Sequence, residues 1–138
     1  MEGSITFSRT STSLPHHDLA LLKLPLTKAA HFELPGESMG RGTVLFMLGN
    51  LLGDTPGPAA GKLNSIWTRR GMALTLFTTV PTAAGDSGGP VINESGELAG
   101  VVSGGWFHRY FPLLSVSTVT SLGTAEIRAL IAADRTGQ

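Results

Sequence analysis

The six residues Gly85-Asp86-Ser87-Gly88-Gly89-Pro90 constrain the fold of this chain more than any other stretch. Three glycines and a proline so close together suit neither a helix nor the interior of a strand. They fit a strained turn with a hydroxyl at its centre. At average residue frequencies the string arises by chance in about 1 in 100,000 chains of this length, which sets aside an incidental glycine-rich turn. A serine hydroxyl is a weak nucleophile until a neighbouring base takes its proton. An attacked carbonyl also needs N–H groups aimed where its oxygen becomes negative. A turn through Gly85, Asp86 and Ser87 can point the N–H groups of Gly85 and Ser87 into one concavity beside the Ser87 hydroxyl. Asp86 stands between residues too small to shield it, so its carboxylate is expected to turn inward onto a cationic or hydrogen-bonding partner.

The rest of the chain is cut just as finely. The chain has 18 glycines and 8 prolines, about a fifth of its residues, and only 14% are charged. That profile suits a loop-rich all-β domain better than a helical one. Ser4–Arg9, with Ile5 and Phe7 alternating, and Asp18–Leu24, closed by Pro25, read as two strands. A connector with Pro35 and Gly36 follows. Six further strands are expected at Gly42–Leu48, Gly61–Trp67, Met72–Val80, Gly89–Ile92, Glu97–Ser103 and Tyr110–Val116. Turn signals separate them at Gly53–Pro58, Arg69–Gly71 and Asn93–Gly96. Asn93-Glu94-Ser95 is also a glycosylation sequon, but the hairpin turn is the simpler reading. Six short strands at these spacings suit a Greek-key barrel. Thr124 can cap a closing helix to about Asp134, with Ile127, Leu130 and Ile131 on one face.

Several classes of function drop out. Net charge is zero and no basic run occurs, so no nucleic-acid or acidic-membrane partner is expected. No stretch approaches the ~20 apolar residues of a membrane span, and Met1-Glu2-Gly3 does not begin a secretion signal. The chain has no cysteine, which removes disulfides and cysteine-based zinc sites. No metal or cofactor is expected.

The Gly85–Pro90 string resembles the nucleophile loop of trypsin-like serine proteases, those of the chymotrypsin fold. His16-His17-Asp18-Leu19-Ala20-Leu21-Leu22 resembles the segment that carries the acid of their Ser-His-Asp triad, and it lies in the right order, with Asp18 69 residues before Ser87. The resemblance implies Ser87 as nucleophile, Asp18 as the group that orients the histidine, and Gly85 and Ser87 N–H groups as the oxyanion hole. It covers nearly the whole chain. Residues 1–35 match the end of a first barrel and the linker, and residues 36–138 a complete second barrel with its helix. The fold expected is therefore all-β, a six-stranded Greek-key barrel with a C-terminal helix, preceded by two strands of an incomplete first barrel.

The base is where the pattern breaks. In this family the histidine precedes the acid by about 45 residues, and only 17 residues precede Asp18. His16 and His17 read as loop residues, His31 as a linker contact and His108 as a surface or subsite residue. The chain on its own is accordingly expected to be inactive.

The substrate groove follows from the resemblance in part. Val101-Val102-Ser103-Gly104-Gly105 is similar to the strand that pairs with an extended peptide, with Ser103 and Gly105 lining the groove and Gly104 where an aromatic often stands. The specificity pocket would be walled by Pro81–Ala84, including Thr82 and Ala84, by Gly104–Trp106 and by Leu113–Ser115. Pro81 occupies the place of the trypsin aspartate, so a small or apolar preference is expected, with Thr82 able to bond a polar side chain. The absence of cysteine leans toward a bacterial member. Asp86, where HtrA-type members usually carry asparagine, leans toward secreted trypsin-like peptidases, and an extracellular or periplasmic location is implied. The expected partners are a polypeptide substrate and either the missing first barrel or a second copy of the chain. The competing reading is a non-catalytic, protease-like peptide-binding module.

Overall fold

A computed structural model describes residues 12–13, 18–21, 28–36, 39–49, 57–68, 74–106, 110 and 116–136. Its centre is a closed barrel of six strands: β3 (Val44–Gly49), β4 (Gly57–Trp67), β5 (Thr75–Thr78), β6 (Pro90–Asn93), β7 (Leu98–Trp106) and β8 (Val116–Ser121). Two short strands precede it, β1 (Thr12–Ser13) and β2 (Ala20–Leu21), paired antiparallel. The helix α1 (Ala125–Thr136) follows.

Around the barrel the order is β3-β4-β5-β8-β7-β6, and β6 closes against β3. The chain lays down β3, β4 and β5 side by side, crosses to the far side of β3 for β6, and returns through β7 and β8. This is a Greek-key path, and closure leaves the barrel no free sheet edge along its paired length. Alternation drives it. In β3, Leu45 and Met47 face inward while Phe46 is half-buried and Leu48 exposed. The core joins Leu45, Met47, Leu63, Leu76, Val80, Val91, Ala99, Val102 and Val119.

The last strand is displaced from its expected place. It occupies Val116–Ser121, not Tyr110–Val116, and Tyr110 is exposed in a bend. The apolar run at 111–114 drew the expectation; those residues lie outside the described ones. In β8 the buried positions are mostly hydroxyls, with Ser117, Thr120 and Ser121 buried as well as Val119. β4 begins at Gly57, so Gly57 and Pro58 are strand, not turn, residues opposite Gly49 and Leu48. Pro58 is tolerated because β5 joins β4 only from Leu63 onward. β7 runs on past Ser103 to Trp106. The expected strand Ser4–Arg9 lies outside the described residues, and of Asp18–Leu24 the described part is strand only at Ala20–Leu21.

Two details tie the ends to the barrel. The linker docks through Leu98 N–H donating to the Glu33 carbonyl at 2.7 Å, Gly36 N–H donating to Glu97 Oε1 at 3.3 Å, and a fully buried Pro35. Thr124 caps α1, its hydroxyl accepting from Ile127 N–H at 3.3 Å, and Ile127 is buried. The Asn93–Gly96 hairpin is formed as expected. Asn93 Oδ1 accepts from the N–H groups of Ser95 and Glu97, and its Nδ2 donates to Glu97 Oε2 at 2.7 Å. The amide of the sequon is thus part of the turn.

Candidate active site

Residues 83–90 form two tight turns back to back. Asp86 N–H donates to the Ala83 carbonyl at 3.1 Å, and Gly89 N–H donates to the Asp86 carbonyl at 2.9 Å. Gly85 and Gly88 take φ of 104° and 85°, values that side-chain-bearing residues rarely adopt. The Asp86 side chain turns inward and is 3% exposed; its Oδ2 accepts from the Ala83 N–H at 2.7 Å. The pocket for that carboxylate exists because residue 49 is glycine: a Cβ there would stand 2.8 Å from Asp86 Oδ1. Ser87, next in sequence, is exposed. Among the described residues the N–H groups of Gly85 and Ser87 have no hydrogen-bond partner.

The turn is fastened to β7. Gly88 N–H donates to the Val102 carbonyl at 2.8 Å, and Val102 N–H donates to the Gly89 carbonyl at 3.0 Å. These two bonds extend the β6–β7 ladder, whose last strand pair is Pro90 with Val101. Beyond Val102 the β6-facing edge of β7 has no strand partner among the described residues, while its other edge pairs Gly104 with Thr118 and Gly105 with Ser117. Ser103 sits in the register shift between these stretches and donates to the Thr118 carbonyl at 3.1 Å. A strand edge without a described strand partner thus begins where the serine turn is anchored.

Thr82 is joined to the same corner. Its hydroxyl lies 2.8 Å from Ser117 Oγ, and Ser117 Oγ donates to the Val80 carbonyl. Ala84 is exposed beside it. Thr82 thus meets the start of β8 at Ser117, which pairs in turn with Gly105 of β7. Leu113–Ser115, expected in the same wall, lie outside the described residues. The sequence reading missed Ser117 because its partner Val80 is 37 residues away and no local pattern links them.

Asp18 lies two residues before β2, exposed, with φ of 49°. Aspartate is among the few side-chain-bearing residues that visit this region readily. Among the described residues it has no hydrogen-bond or ion-pair partner. His31 belongs to the linker, with Nε2 3.0 Å from Glu33 Oε1 and Nδ1 3.2 Å from the Ala29 carbonyl. His16, His17 and His108 lie outside the described residues. Among the described residues no cluster of three or more His, Asp or Glu is placed to hold a metal, and no helix is long and apolar enough to cross a membrane.

A family profile described as trypsin-like peptidase domain matches residues 2–101. The chain belongs to that family. No curated protein matches this trypsin-like domain in sequence. Among solved structures it is similar to the inactive form of a serine-to-alanine mutant of Rv3671c from M. tuberculosis H37Rv, at 20% identity and a TM-score of 0.65, over 94% of this chain and 66% of that one. The active form of Rv3671c protease gives a TM-score of 0.67 at 20% identity, over 91% of this chain and 58% of that one. A serine-to-alanine variant of the HtrA-type protease AlgW, with a tripeptide, gives 0.69 at 19% identity, over 90% of this chain and 42% of that one. These likenesses show the fold, and the trypsin-like domain spans less than two thirds of each of those chains.

Proposed function

We propose that this trypsin-like domain is the nucleophile-bearing part of a serine endopeptidase. The observation that carries the reading is the serine turn itself: Asp86 is pulled into the core, Ser87 is left exposed, and two neighbouring N–H groups have no described partner. Ser87 Oγ attacks the scissile carbonyl, and the Gly85 and Ser87 N–H groups donate to the oxygen that becomes negative. The Ser87 proton passes to a histidine and from it to the leaving amine as the C–N bond breaks. Water then attacks the acyl-enzyme ester and frees Ser87. Asp18 orients that histidine and stabilises its protonated form. The base belongs to a first barrel of which residues 1–35 are the end, and residues 36–138 are the second barrel with its helix. This chain covers 66% and 42% of two structures that share its fold, so a protein of their length has room for such a barrel. The free edge of Ser103–Gly105 binds an extended peptide by strand addition, next to a pocket lined by Thr82 and Ala84. An extracellular or periplasmic site of action accompanies this reading.

A second reading is favoured by the same free edge: a peptide-binding module needs strand addition but no base. A fluorophosphonate probe separates the two. In the protein as its source makes it, the proposal expects labelling that maps to Ser87 and disappears in Ser87→Ala. A native protein that binds peptide but leaves Ser87 unlabelled supports the binding module.

A further inference from the structure

The hydroxyls at the pocket corner have only one consistent arrangement of protons. A carbonyl can only accept, so the proton of Ser117 lies on its bond to the Val80 oxygen. Ser117 has no second proton. The 2.8 Å contact between Ser117 and Thr82 is therefore donated by Thr82. Ser117 is buried, so no water competes for this chain of bonds from its far side. Thr82, half-buried, has spent its proton inward and offers only lone pairs outward. Ser103 has likewise spent its proton on the Thr118 carbonyl. The residues that adjoin this pair in sequence and in strand register, Ala83 and Ala84 after Thr82 and Gly104 and Gly105 opposite Thr118 and Ser117, carry no charged side chain.

From this we infer that Thr82 is a specificity-determining acceptor, and that the pocket takes a side chain with a neutral hydrogen-bond donor, such as glutamine, and rejects a carboxylate. The inference rests on the endopeptidase reading and refines it. A carboxylate offers no proton to Thr82, and its own need for donors goes unmet. For Thr82 to donate outward, it must give up its bond to Ser117. A lysine or arginine finds an acceptor but no counter-charge, so burying it there is disfavoured.

The test uses the protein as its source makes it and matched peptides that differ only in the residue before the scissile bond: Gln, Leu or Glu. Wild type is expected to favour Gln over Glu by kcat/KM. Thr82→Val should lower the Gln-to-Leu ratio about fivefold to tenfold, the worth of one neutral hydrogen bond, and Thr82→Ser should keep it. Ser117→Ala supplies the sharper readout. It removes the acceptor of the Thr82 proton, so Thr82 can donate outward, and the Glu-to-Gln ratio should rise about fivefold. A purely structural role would lower all rates together and leave both ratios unchanged. Ratios unmoved by the variants, or Glu cut as well as Gln by wild type, overturn the inference while labelled Ser87 keeps the endopeptidase reading. Neither cleavage nor labelling overturns both.

Discussion

Asp86 and Gly49 hold the serine turn from beneath, and both are exposed to a direct test. Asp86→Ala leaves the Ala83 N–H without its acceptor and should cost about 1–3 kcal/mol of stability in a urea melt, with Ser87 reactivity falling too. Asp86→Asn keeps an acceptor oxygen and should cost less. Gly49→Ala should act on the same carboxylate from the other side, because its Cβ would stand 2.8 Å from Asp86 Oδ1. Slower probe labelling of Ser87 in that variant, at a site two strands away in sequence, is the expected signature. At this scale much was legible beforehand. The glycines and proline around Ser87 leave so few backbone choices that the turn and the inward Asp86 follow from residue type. Ser117 was not legible, because a buried serine is explained only by the carbonyl it meets across the barrel.

Strand boundaries obey a different logic. β3 could be placed because Val44–Leu48 is an unbroken apolar run, and α1 because Thr124 announces it. β8 could not, since three of its four buried residues, Ser117, Thr120 and Ser121, carry no hydrophobic signal. Those side chains are tolerated inside only where they find partners, as Ser117 does at Val80. The β7–β8 contact is close. A Cβ on Gly100 would come within 2.4 Å of the Thr120 carbonyl oxygen and 2.6 Å of Val119 Cγ1. Gly100→Ala should therefore force the strands apart and cost about 1–3 kcal/mol or more, read as a lower urea midpoint. Thr124→Ala, by contrast, removes only a cap and should cost about 1 kcal/mol.

Over the whole molecule, closure of β6 on β3 joins residues nearly fifty positions apart, which no local pattern could report. The barrel is self-sufficient in its sheet, whereas β1 and β2 form a two-residue pair of a kind that is marginal alone. We therefore expect the 138-residue chain by itself to associate through the β1–β2 region, giving a light-scattering mass that rises with concentration. A concentration-independent monomer would argue against open edges there. The central claim is that Ser87 is the nucleophile of an endopeptidase completed by a histidine outside the described residues. Its most direct test is hydrolysis of a quenched fluorescent peptide library by the protein as its source makes it, wild type against Ser87→Ala. The account predicts cleavage by wild type and a fall of at least about a thousandfold in the variant. Equal turnover by the two proteins would contradict it.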